Sequence, residues 1–209
     1  MVPAMSARLK QRREAILRAA AEVFFEQGYA ATSIDAIIER AGGSKRNIYN
    51  EFGNKEGLFL AIVTENANTL LSSLVIEQRE SQDLHETLNA FGQRLMSAYM
   101  SPALIGIYRI AVTEFSRFPD LVSSFYDQGP GRATLRLAEV LQDARERGEI
   151  HADDCLRIAG HFVGMIRDNL HLQVVLGLRP PPSAKETREA VKSAVTVFLN
   201  GVRPRNTTE

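Results

Sequence analysis

The chain has 209 residues, enough for one large domain or a small one joined to a larger, and its apolar (44%) and charged (24%) fractions are those of a globular protein with a sizeable core. Its 25 basic and 25 acidic side chains exclude an overall polycation; residues 1–60 hold nine Lys/Arg against seven Asp/Glu, so any anion-binding surface is local. A single cysteine, Cys155, excludes an intrachain disulfide; no run of about 18 apolar residues marks a membrane span, no apolar stretch near the N-terminus marks a signal peptide, and the expected location is the cytoplasm.

The pattern is helical from the start. Ile16, Ala19, Ala20, Val23 and Phe24 recur at helical spacing and predict a first helix that stops near Gly28. Thr32 or Ser33 caps a second helix, with Asp35 in its first turn and Ile34, Ile37, Ile38 and Ala41 along one face. Gly42-Gly43 ends it. Ser44 caps a third helix from Lys45 to about Phe52, with Ile48 and Phe52 turned inward, and Asn54 caps a fourth from Lys55. Further on, Asp83 with Glu86 and Ser183 with Glu186 have capping-box spacing, and Ser101-Pro102 reads as a cap followed by proline. Gly129-Pro130-Gly131, Gly148 and Pro180-Pro181-Pro182 mark turns between helices predicted over 132–147, 153–176 and 183–202. No stretch alternates as a strand would. The expectation is an all-α protein in two parts: an N-terminal three-helix domain over 1–60 and a larger helical domain over 61–209.

Two short helices joined by Ala41-Gly42-Gly43-Ser44 have the length and turn chemistry of a helix-turn-helix. A tight turn there needs a residue that tolerates positive φ, and glycine does. Opposite its apolar anchors the third helix shows Lys45, Arg46, Asn47 and Asn50. Arginine bonds guanine with two hydrogen bonds and asparagine does the same with adenine. Lys45, Tyr49 and Lys55 suit phosphate contacts, which position a protein without reading sequence. Thr32, Ser44, Lys45, Arg46, Asn47, Tyr49, Asn50 and Lys55 are therefore the candidate DNA-contacting residues. Tyr49 also has an apolar body that can pack beside Ile48. Arg8, Arg12 and Arg13 read either as a charged tail or as an arm on DNA.

Residues 32–63, TSIDAIIERAGGSKRNIYNEFGNKEGLFLAIV, together with the preceding FFEQGYAATS, resemble the DNA-binding signature of the TetR family of bacterial regulators. The resemblance covers about the first 60 residues and rests on Ala41-Gly42, Ser44-Lys45, Ile48-Tyr49, Phe52, Lys55-Glu56 and Leu58-Phe59. It implies a homodimer whose recognition helices enter successive major grooves of a palindromic double-stranded operator. It also implies a ligand cavity in the C-terminal domain, and a small apolar or amphipathic effector that releases a repressor by swinging the fourth helix. The stretch from Tyr108-Arg109 to Phe118-Pro119, with Arg147-Gly148-Glu149, resembles the AefR-like subgroup. Two positions depart from the family pattern. Gly43 stands where an apolar side chain is usual, and Glu51 stands where a basic or aromatic one is common. Glu51 either accepts from a cytosine amine or repels phosphate.

In the C-terminal part, Phe91, Met96, Met100, Tyr108, Phe115, Phe125 and Met165 are candidate effector-lining residues, Met being adaptable at binding surfaces. His161 and Asp168 share a helical stripe with Met165 and Leu172 and face either a polar group of the effector or an interface. Gly160, Gly164, Arg167 and His171 form a neighbouring stripe where small residues allow close helix approach. With Val191, Val195, Phe198 and Leu199 on the last helix it reads as a dimer interface, or else as packing within one subunit. No P-loop, GxSxG, HExxH or CxxC occurs, and His85, His151, His161 and His171 show no nucleophile pairing, so no enzyme and no cofactor are expected. His151, Asp153, Asp154 and Cys155 cluster without tetrahedral ligand spacing, so no metal is expected; they sit at a helix start, where Asp belongs as a cap.

Overall fold

The computed structural model describes residues 3–73, 83–114 and 116–202. Its regular structure is entirely helical: α1 (Pro3–Gln27), α2 (Ile34–Ala41), α3 (Lys45–Phe52), α4 (Lys55–Ser73), α5 (Leu84–Tyr99), α6 (Pro102–Glu114), α7 (Pro119–Gln128), α8 (Pro130–Glu146), α9 (Cys155–Val175) and α10 (Ala184–Val202). The protein is all-α, with an N-terminal helix-turn-helix bundle and a larger C-terminal helical part, and no strand occurs among the described residues. Among them no single helix is long and apolar enough to cross a membrane.

The chain divides into two compact units, Met1–Ala67 with Gly106–Gly129, and Asn68–Ile105 with Pro130–Glu209. The first is built on the apolar stripe of α1. Ile16, Ala20, Val23 and Phe24 are buried with Ile34 and Ile37 of α2, Ile48 and Phe52 of α3, and Leu58, Phe59 and Ile62 of α4. Phe24, Tyr29, Phe59 and Phe118 form an aromatic cluster with ring centroids 5.0–5.8 Å apart, mostly edge to face, the arrangement that ring quadrupoles favour. The unit also takes in most of α6 and all of α7. Gly106 allows this, because a side chain there would meet the Phe25 ring at 2.5 Å.

The second unit packs α5, α8, α9 and α10 around Leu88, Phe91, Leu95, Leu137, Leu141, Phe162, Ile166, Val195 and Phe198. Its helix ends carry the expected caps. Asp83 accepts from the His85 N–H, Ser101 from the Leu104 N–H, and Ser183 from the Glu186 N–H at 3.2 Å. Asp154, one residue past the expected start of its helix, accepts from the Arg157 N–H at 2.9 Å and caps α9.

One break was not foreseen in this unit. Inside α9, Asp168 has φ 41 and ψ −171, the only positive φ outside glycine among the described residues. Only glycine visits this region cheaply, and strain of this kind costs about 1–3 kcal/mol. Asp168→Gly should therefore raise stability by about 1 kcal/mol after the entropy that glycine adds to the unfolded chain. A denaturation midpoint that falls instead would mean that the Asp168 side chain offsets the strain.

Candidate nucleic-acid interface

The turn between α2 and α3 is made by Gly42 (φ 72) and Gly43 (φ 105), conformations closed to ordinary side chains. The Gly42 N–H donates to the Ile38 carbonyl and closes α2. Ser44 then opens α3 in extended geometry. Its Oγ accepts from the Asn47 N–H at 3.4 Å, a long bond, and its carbonyl accepts from Asn47 and Ile48. Ile48 and Phe52 anchor the helix from inside. On the outside, Lys45, Arg46, Tyr49 and Asn50 are exposed, Tyr49 by 48%, and Asn47 is half-buried. The outward face expected from the sequence is thus made by neighbouring side chains of one helix.

Inter-helix ion pairs hold that face and its neighbours in place. Lys45 Nζ lies 2.8 Å from Asp35 of α2, and this hydrogen bond holds the ammonium above its ordinary pKa. Arg13 of α1 donates to Glu51 of α3 at 2.9 Å and lies 5.1 Å from the Phe52 ring centroid. Arg40 of α2 donates with both nitrogens to Glu26 of α1, at 2.8 and 2.7 Å. These pairs are solvent-accessible, so each fixes orientation more than it adds stability. Glu51, open at first between base contact and phosphate repulsion, is engaged by Arg13. Arg46 makes no ion pair or hydrogen bond among the described residues.

Two expected contacts point elsewhere. Thr32 is buried, and its hydroxyl donates to the Gly28 carbonyl at 2.8 Å; Ser33 is the α2 cap, accepting from the Ala36 N–H. Lys55 is turned inward. Its Nζ donates to the carbonyls of Tyr29 (2.8 Å), Ala30 (3.2 Å) and Thr32 (3.0 Å) and lies 4.7 Å from the Tyr29 ring centroid. Burial lowers its pKa, opposed by Glu114 and reinforced by Arg117. Tyr29 is pushed up to about 12, chiefly by burial. Glu114 is also buried here, and its Oε1 accepts from the Ala30 N–H at 3.3 Å. The ammonium is committed to the α1–α2 connection, because three carbonyls there have converged on one point. Asn54 makes the expected cap of α4, accepting from the Gly57 N–H at 2.8 Å.

The candidate effector residues fall in both compact units. Phe91, Met96 and Met100 are buried in the core of the second unit, whereas Tyr108 and Phe125 are half-buried in the first. Phe115 lies outside the described residues. His161, Met165 and Asp168 are exposed on α9, the opposite side from its buried Ala159, Phe162, Val163 and Ile166. The polar residues that α9 does turn inward are others: His171 is buried 5.7 Å from the Tyr99 ring, and the Arg167 guanidinium lies 5.6 Å from the same ring. The break at Asp168 resets the helical phase, which puts His171 inside rather than on the stripe of Gly160 and Gly164. Burial, helped by Arg167, lowers the His171 pKa to about 4.

The expected interface stripe divides in the same way. Val191, Val195, Phe198 and Leu199 are buried within the second unit, so they belong to the subunit's own core. Gly160 and Gly164 are exposed with open space beside them, and Leu156, Met165, Leu172, Leu176 and, on α10, Val197 are exposed apolar residues. Among the described residues no group of three His, Cys, Asp or Glu side chains is placed to hold a metal ion.

Two helices meeting at a double-glycine turn, the second showing a polar face from an apolar anchor, define a helix-turn-helix protein. Residues 16–62 match the family model of bacterial regulatory proteins of the tetR family. Residues 86–201, more than half of the chain, match that of the AefR-like transcriptional repressor C-terminal domain. The flavonoid-responsive regulator FrrA is 31% identical, superposes with a TM-score of 0.77, and the match covers 94% of this chain and 99% of FrrA. A TetR-family regulator structure from Mesorhizobium loti MAFF303099 is 25% identical with a TM-score of 0.81, covering 93% and 98% of the two chains. The transcriptional activator FasR of Mycolicibacterium smegmatis is 38% identical over 80 residues, 38% of this chain and 36% of FasR's own length. The chain belongs to the TetR family of bacterial transcriptional regulators, and it is a regulator of transcription rather than an enzyme.

Proposed function

We propose that the chain works as a homodimeric, effector-responsive repressor of the AefR-like kind, acting in the cytoplasm on a palindromic double-stranded DNA operator. The observation that carries this reading is the outward face of α3, where Arg46 stands uncommitted beside Tyr49 and Asn50 on a helix anchored by Ile48 and Phe52. Arg46, Asn47 and Asn50 read base edges, and Lys45, Tyr49 and the Ser44 turn position the helix on phosphates. A dimer is supported by the exposed apolar residues of α9 around Gly160 and Gly164, whose bare backbone lets a second copy approach closely. Two copies related by a two-fold axis present two such helices, hence a palindrome.

The effector is a small apolar or amphipathic molecule taken up by the C-terminal helices, and the flavonoid responsiveness of FrrA supports an aromatic, phenolic class. Its binding lowers DNA affinity only if it favours a conformation that DNA does not. Thr32 and Lys55 act through the architecture of the α1–α2 connection, and His161, Met165 and Asp168 belong with the dimer face.

The test starts from duplexes enriched from a randomised pool on the full-length protein. Arg46→Ala should weaken binding to them by about 1–3 kcal/mol and relax preference at one position per half-site. Two chains should bind each duplex, and planar phenolic compounds should displace them. Binding unchanged by Arg46→Ala, or one chain per duplex, would overturn the reading of α3 or of the dimer respectively; failure of such compounds to release DNA would remove that effector class.

A further inference from the structure

Uncommitted positive charge near the helix-turn-helix lies on α1. Of the basic side chains near α3, Arg13, Arg40 and Lys45 each have a carboxylate partner, and Lys55 is taken up by backbone carbonyls. Arg8 and Arg12 are exposed and make no ion pair or hydrogen bond among the described residues. They stand four residues apart, hence on one face of α1, which is helical from Pro3. The Arg12 guanidinium lies beside the turn: a Cβ added at Gly43 would come within 3.2 Å of its Nη2.

That proximity gives the unusual glycine a use. A side chain at position 43 would crowd the guanidinium, and the φ of 105 excludes one in any case. The bare turn is therefore a seat for a cation delivered by another helix. It places an unneutralised guanidinium three residues from Arg46, at the end of α3 where the backbone N–H groups point outward. Both charge and geometry suit a phosphate of a duplex against which α3 is docked.

We propose that Arg12, seated on the Gly42–Gly43 turn, is a phosphate-contacting residue that extends the DNA interface from α3 onto α1. This rests on the reading of α3 as the DNA-reading helix. The contact carries no base information, so it contributes to all duplexes alike.

The experiment measures affinity against salt concentration for the full-length protein on the enriched duplexes and on a duplex of unrelated sequence. Arg12→Ala should weaken binding to both by a similar factor and reduce the slope of log affinity against log salt by about 0.9, the value for one phosphate contact. Arg12→Lys should keep the slope, and Arg94→Ala, an exposed position of α5, should leave affinity and slope unchanged. A full slope in Arg12→Ala, with or without a lower melting temperature, overturns the proposal and makes Arg12 a brace of the turn only. If the unaltered protein binds no duplex at all, the regulator reading fails and this inference with it. If the loss falls on the enriched duplexes alone, Arg12 reads a base, and the phosphate assignment is overturned.

Discussion

Lys55→Met should destabilise the N-terminal unit by about 2–4 kcal/mol while leaving the salt dependence of DNA binding unchanged. The Lys55 ammonium satisfies the carbonyls of Tyr29, Ala30 and Thr32 together. A hydrogen bond from a charged donor is worth about 1.5–3 kcal/mol, but three bonds sharing one ammonium do not add independently. Methionine fills the volume of the aliphatic stem, so the loss comes mainly from carbonyls left without a donor. Arginine should rescue only in part, since a planar fork cannot aim at three oxygens gathered around one point. Hydrogen exchange at amides of residues 28–40 is the appropriate measure, because a chain with two compact units need not unfold in one step. Unchanged protection would remove the clamp assigned to Lys55. A flatter salt slope at full stability would return Lys55 to the phosphate role that the sequence alone suggested.

Acid should weaken the C-terminal unit through one imidazole. His171 has a folded pKa of about 4 against an ordinary value of 6.5, because its ring is buried beside Tyr99 and close to the Arg167 charge. The folded state therefore binds fewer protons than the unfolded chain between these values. Its contribution is complete above pH 6.5 and is lost as pH falls towards 4, amounting to about 3 kcal/mol at most. His171→Gln should lose this part of the pH dependence and keep the rest, since carboxylates elsewhere titrate alike in both proteins. Parallel stability curves for the two proteins between pH 7 and 4 would show that the ring is not kept neutral by its surroundings.

The N-terminal helices were legible because local chemistry decides them. Glycine at positive φ, serine at the cap and isoleucine at helical spacing each have few alternatives, so α2, the turn and α3 follow from adjacent residues. Thr32 and Lys55 were expected on DNA, whereas their side chains bond backbone carbonyls brought together only by the fold. No side-chain pattern announces a converging set of carbonyls. In α9 the placement of His171 on the stripe of Gly160 and Gly164 assumed one continuous period. Asp168 breaks the phase, and nothing about an aspartate on a helical stripe with His161, Met165 and Leu172 signals a positive φ. On α10, Val191, Val195, Phe198 and Leu199 could be read as an interface or as packing within one subunit, because an apolar stripe alone does not say whether its cover comes from the same chain or another; their burial places them in the subunit's own core.

The pairing of Asp35 with Lys45, and of Arg13 with Glu51, bears on how this reading head can be redesigned. Both ends of α3 are tied to helices that precede it. Transplanting residues 45–52 alone into a related scaffold would carry over two orphaned charges and lose the tilt they enforce. Specificity is portable here only as a cassette reaching back through α2 to Arg13 in α1.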